Sequence, residues 1–192
     1  MMNDISRMHP RTILSLNCAV TAGSVLLCLL VSPMRLPGME LLTVNPNWLL
    51  IWVVAWSVKR TVWQGAIAGI ALGLIQDGMS YHNPTHAVSL AIVGILTAKL
   101  QKQRYIREDF ISISLIVFGM SVLAATITAI QFSLQPQEIA AHLARGPIGE
   151  IWLNHQRISL SSAILSSLWA PVVYYPLNRW WEMIGSIEQP QS

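Results

Sequence analysis

Charge is what this sequence has least of. Only 11% of its 192 residues are Asp, Glu, Lys or Arg, against 53% that are apolar. A soluble domain carries about a quarter charged residues, and a disordered chain has far fewer apolar ones, so both classes are excluded. The mean hydropathy of +0.50 agrees: water is not the main solvent. Cysteine is scarce as well. Cys18 and Cys28 lie ten residues apart in one apolar stretch, which on a helix separates their Cα atoms by about 15 Å, beyond disulfide reach. The signatures of enzyme chemistry are missing: no paired carboxylates within an apolar segment, no His-Glu-x-x-His and no phosphate-cradling Gly-Lys-Ser/Thr. No basic tract interleaves with stacking aromatics, so nucleic acid is not an expected ligand, and no cofactor is expected either.

What is present is a succession of apolar segments. A helix needs about 20 mostly apolar residues to cross the hydrocarbon core, fewer where the bilayer thins or neighbours help. Six segments come near this, over 12–32, 41–58, 61–76, 85–98, 110–132 and 158–177. The first is too long for a signal-peptide core and lacks a small-x-small cleavage site, so it is read as a permanent span. The second carries Asn45, Pro46 and Asn47, and its purely apolar part from Trp48 rises only about 16 Å. The expectation is an all-α integral membrane protein, one transmembrane helical domain over 1–192, built as a compact bundle of about six spans.

Positive charge favours cytoplasmic loops and orients the bundle. With six spans and the N-terminus inside, Arg7, Arg11, Lys59, Arg60, Lys99, Lys102, Arg104, Arg107 and Arg179 fall inside, and Arg35, Arg145 and Arg157 outside. Five spans with an external N-terminus divide the charge less cleanly, eight against four. Six are preferred because Arg7 and Arg11 flank the first span, whose orientation usually dominates. Both termini are then cytoplasmic. Trp63, Trp180 and Trp181 fall at inner interfaces and Trp48 at an outer one. The outer loop over 133–157 holds a short helix candidate from Pro136 to Arg145, with an apolar strip suited to the membrane surface.

The most informative stretch is TVWQGAIAGIALGLIQD, over 61–77. Gly65, Gly69 and Gly73 recur every four residues, making a smooth groove that drifts about 40° per step and admits another backbone. Asp77 continues that stripe at its outer end. Two readings stand: internal packing with Asp77 capping the next helix or loop, or a carboxylate fixing the adjoining turn or facing a partner. Ala19 and Gly23 form a second small-xxx-small pair in the first span.

These features resemble the MreD family of rod shape-determining membrane proteins. The likeness rests on Pro46 at the start of the second span, the Gly-Leu-x-x-Asp of Gly73, Leu74 and Asp77 ending a Gly-rich third span, and the basic loop after the fourth. It covers roughly residues 11–180; where the family often opens the fourth span with Gly, this chain has Pro84, Thr85 and His86. The resemblance implies a non-enzymatic scaffold of the bacterial cell-wall elongation machinery in the inner membrane. Its implied partners are MreC, the actin-like MreB, and the elongation glycosyltransferase and transpeptidase. The family is also similar to the S components of energy-coupling-factor transporters, six-helix proteins that bind vitamins.

That likeness supplies the alternative function, substrate binding for a transporter. Trp48, Trp52 and Trp56 share one face of the second span, and can either pack or stack on a planar vitamin. Ala19 and Gly23 suit a transporter's coupling subunit or, in an MreD, the single span of MreC. His82 and His86 have metal-ligand spacing for a helix, but Asn83 and Pro84 between them argue for a turn. Ser159, Ser161, Ser162, Ser166 and Ser167 crowd the last span without a base among them, and read as packing and back-bonding. Pro171 and Pro176 are expected to kink or end that helix. Lys99, Lys102, Arg104 and Arg107 either set topology and touch anionic membrane lipid, or meet a cytoplasmic partner.

Overall fold

The computed structural model describes residues 10–34, 44–79, 85–102, 110–134 and 148–188. Its elements are all helices: α1 (Pro10–Val31), α2 (Trp48–Ser57), α3 (Val62–Met79), α4 (His86–Lys102), α5 (Phe110–Ser133) and α6 (Ile148–Glu188). Three of them are long and apolar enough to cross a membrane, within Arg11–Val31, Phe110–Gln131 and Gln156–Gly185. The surface helix expected from Pro136 to Arg145 lies outside the described residues.

Local chemistry sets several of the helix ends. Pro10 opens α1, where its missing N–H would have had no partner in any case. Thr61 and Gln64 form a capping box before α3: Gln64 N–H donates to Thr61 Oγ1 at 3.4 Å, and Thr61 N–H to Gln64 Oε1 at 3.2 Å. Asn47 caps α2, its Oδ1 accepting from Leu50 N–H at 3.1 Å.

The second segment departs from expectation. A span over 41–58 is expected, but the helix begins only at Trp48 and rises about 15 Å, half of a hydrocarbon core of about 30 Å. Pro46 is the cause. It lacks an N–H, and it pushes Asn45 out of helical conformation, so the earliest available cap is Asn47. The short helix is nevertheless the centre of the fold. It touches each of the other five helices, and all of its residues except Trp56 are buried.

The last helix departs in the other direction. It was expected over 158–177, yet it runs from Ile148 to Glu188 with Pro171 and Pro176 inside it, so neither proline ends it. Within a bundle, neighbouring helices and serine hydroxyls take up the backbone groups that a proline frees. The extra length at its C-terminal end carries Glu182, whose Oε1 accepts from Lys59 Nζ at 2.6 Å and from Asn178 Nδ2 at 3.1 Å. This pair holds the α2–α3 turn level with the far end of α6.

The non-helical backbone before α2 is held by α6. Asn47 N–H donates to Ser166 Oγ at 2.9 Å, and Ser162 Oγ donates to the Asn45 carbonyl at 3.3 Å. Ser166 is fully buried. An amide left unpaired in such surroundings costs about 1–3 kcal/mol. Ser166→Ala should therefore lower stability by about that amount, whereas Ser167→Ala should be nearly neutral, because the Ser167 hydroxyl only bonds back to Ile164 O in its own helix. Thermal unfolding of the two variants in detergent checks the contrast.

Candidate functional site

The glycine stripe of α3 is covered. A methyl group added at Gly65 would sit 2.6 Å from the Gly94 carbonyl oxygen, and one at Gly69 would sit 2.6 Å from the Leu90 carbonyl carbon. At Gly73 it would run into the backbone of Ala87. The contact is reciprocal, since a methyl at Gly94 would strike the Gly65 carbonyl. Two backbones therefore lie against each other along α3 and α4, an approach that only residues without side chains permit. Sequence reading missed Gly94. Its signal is the run Ala87, Ala91, Gly94 and Ala98, small residues at helical spacing on the opposing helix.

Asp77 closes the end of this contact beyond Gly73. Its Oδ1 accepts from His86 N–H at 2.7 Å and lies 2.8 Å from His86 Nδ1. His86 is the first residue of α4, so the carboxylate from one helix caps the next and places negative charge at the positive end of its dipole. His82 lies outside the described residues. Among those described, no three His, Cys, Asp or Glu side chains cluster as metal ligands would.

The indoles of α2 are engaged within the protein. Trp48 packs against Trp169 of α6 with ring centroids 5.7 Å apart, and Trp52 stacks on Trp56 at 5.4 Å. Trp52 Nε1 donates to Ser24 Oγ at 2.9 Å, which ties α2 to α1. Trp56 meets the edge of Trp181 at 5.1 Å, and the Arg60 guanidinium lies 4.3 Å above its ring.

The second small-residue pair lies open. Ala19 and Gly23 are exposed on α1, and a methyl at Gly23 would meet nothing within 4 Å. Cys18 and Ala22 are exposed beside them. Of the basic residues after the fourth helix, Lys99 is exposed, while Arg104 and Arg107 lie outside the described residues, as does the side chain of Lys102.

A helical membrane protein emerges whose polar side chains serve capping and helix joining. The family model described as rod shape-determining protein MreD matches residues 14–175, and the chain belongs to that family. It is accordingly a bacterial membrane protein of the rod shape-determining class, a structural group. No curated protein and no solved structure matches it.

Two substitutions should separate covered glycine from open glycine. Gly69→Ala should destabilise the fold by about 1–3 kcal/mol, because a backbone must shift to admit the methyl. Gly23→Ala should be neutral or stabilising by up to about 1 kcal/mol, through helix propensity alone. Melting temperatures in detergent read both. For Asp77, Asp77→Ala should lose about 1 kcal/mol with the cap, whereas Asp77→Asn keeps an oxygen acceptor for His86 N–H and should lose less than half as much. Equal losses from the two would show that charge, not capping, is what α4 requires.

Proposed function

We propose that this protein is a non-enzymatic scaffold of the cell-wall elongation machinery, and that it works by lateral helix docking with no bond made or broken. It crosses the inner membrane six times as one helical unit with both ends in the cytosol, and the backbone of 44–47 together with α2 forms the second crossing. The covered contact of Gly65, Gly69 and Gly73 on α4 fixes the bundle's shape, and Asp77 locks its outer end. The open pair Ala19 and Gly23 on α1 receives the single span of MreC. Through MreC the scaffold is joined to MreB and to the glycosyltransferase and transpeptidase, with the basic residues from Lys99 to Arg107 as a cytoplasmic contact.

One observation carries this reading: the two small-residue stripes are treated differently. In lipid there is no hydrophobic drive for helices to associate, and close packing of small residues is one of the forces left. The α3 stripe already has its partner in α4, while among the described residues nothing lies within 4 Å of a methyl placed at Gly23 on the α1 stripe. The transporter alternative gains nothing from the indoles, because Trp48, Trp52 and Trp56 already have ring partners.

The test uses the full chain co-expressed with tagged MreC. Gly23→Leu should reduce co-purification at least tenfold while leaving the melting temperature of the isolated variant within a degree or two of the parent, as roughly expected for a side chain entering open space. Undiminished capture of MreC by Gly23→Leu would remove α1 as the docking face.

A further inference from the structure

On the opposite side of α1 from Gly23, the bundle leaves a gap. α1 and α3 hardly touch, and the space between them is floored by α2. The result is a groove of about 320 Å³ whose walls include Val25 of α1, Trp52 and Trp56 of α2, and Ala68, Ala71 and Leu72 of α3. The floor is well formed, with Trp52 only 4% and Leu72 5% exposed. Among the described residues Gln64 is the single polar side chain that lines it; it stands at one end, and the lining itself is almost wholly apolar. From Gln64 to Ala71 the groove runs about 10 Å along α3, two-thirds of a leaflet's hydrocarbon depth of about 15 Å.

The polar end is also a charged end. Arg60 lies in the α2–α3 turn, four residues before Gln64, its guanidinium held over the ring of Trp56, which lines the groove. Its neighbour Lys59 is paired with Glu182, but among the described residues Arg60 has no acidic partner. Gln64 uses its Oε1 to cap α3, which leaves its amide N–H groups without a partner among the described residues. Trp63, 79% exposed, stands beside them as an interfacial indole would. An apolar slot with a phosphate-matching cation and two amide donors at one end has the polarity pattern of a single amphiphile.

We propose that this groove is a binding site for one anionic glycerophospholipid. One acyl chain lies along Trp52, Trp56, Ala68 and Ala71, and the phosphate lies at Arg60 and Gln64. The Trp56 ring fixes the guanidinium at the mouth, so the site selects headgroup charge as well as chain. Because Val25 and Gly23 point to different sides of α1, the lipid and a docked helix do not compete for the same face.

The experiment takes the full chain, delipidated in detergent and then given phosphatidylglycerol or phosphatidylcholine in equal amount, and counts retained lipid by native mass spectrometry. The parent should retain phosphatidylglycerol about fivefold better, the selectivity expected of one cation facing a net-anionic rather than a zwitterionic headgroup. Arg60→Gln should retain both lipids equally, and Ala71→Phe or Ala68→Leu should retain neither while still melting cooperatively. A photo-reactive residue at Ala68 should acquire a lipid-sized adduct in cells. Equal retention of the two lipids by the parent would overturn the site. So would full retention of phosphatidylglycerol by both groove-filling variants, or a polypeptide as the main adduct at Ala68.

Discussion

A buried backbone amide has nowhere to turn for a hydrogen bond except the protein, and the four residues before α2 bring this constraint to the centre of the fold. Pro46 denies them a helix, so their groups need partners from another element. The Asn47 N–H and the Asn45 carbonyl find them in the hydroxyls of Ser166 and Ser162. This joint seats a helix of ten residues that touches all five others. If α2 loses its seat, α1 loses the Ser24–Trp52 bond, α6 loses the Trp48–Trp169 contact, and the α2–α3 turn loses its register with Glu182. The Lys59–Glu182 pair is partly exposed and gives little stability by itself, so its importance is positional.

Small residues then divide the remaining work. Where two backbones meet, as along α3 and α4, side-chain volume is excluded from both sides, and the helices are fixed at a separation that no larger residue tolerates. Where small residues face outward, as on α1, they leave a strip that no described residue covers at Gly23. The same residue type thus fixes the interior and exposes a surface, and only the neighbouring helix distinguishes the two. The groove between α1 and α3 is a third case, in which Ala68 and Ala71 make room beside bulky indoles.

Much of this was readable from the chain. The ends of α1 and α5 follow from long apolar runs, and α3 from its capping box and glycine spacing. Asp77 was legible as a group at a helix junction because it falls on the glycine stripe four residues beyond Gly73. What was not legible depended on a partner distant in sequence. The serines of α6 look alike in the sequence, yet Ser162 and Ser166 hold a segment well over a hundred residues away, while Ser167 bonds within its own turn. Prolines inside α6 read as a kink or an end, and the second alternative fails because neighbours in the bundle absorb the freed carbonyls. Indoles four residues apart read as either packing or a stacking platform, and only the partners decide: α1 engages Trp52, while α6 meets both Trp48 and Trp56.

The least embedded helix is also the one with the open face. Only 11% of the α1 span is buried, and its attachment includes Ile13, Cys28 and the Ser24–Trp52 bond. A hydrogen bond between helices in a bilayer contributes about 0.6 kcal/mol on average, so the Ser24–Trp52 bond alone holds α1 weakly. A helix docking on Ala19 and Gly23 would contribute packing of the same order as that attachment. In such a balance the partner sets the position of α1 as much as the bundle does, while α3 and α4, locked backbone to backbone and capped by Asp77, stay where they are. The bundle is thus packed most closely along α3 and α4 and least embedded at α1. A helix docked on α1 would bear on the gap between α1 and α3, and not on the joint that Ser162 and Ser166 hold together.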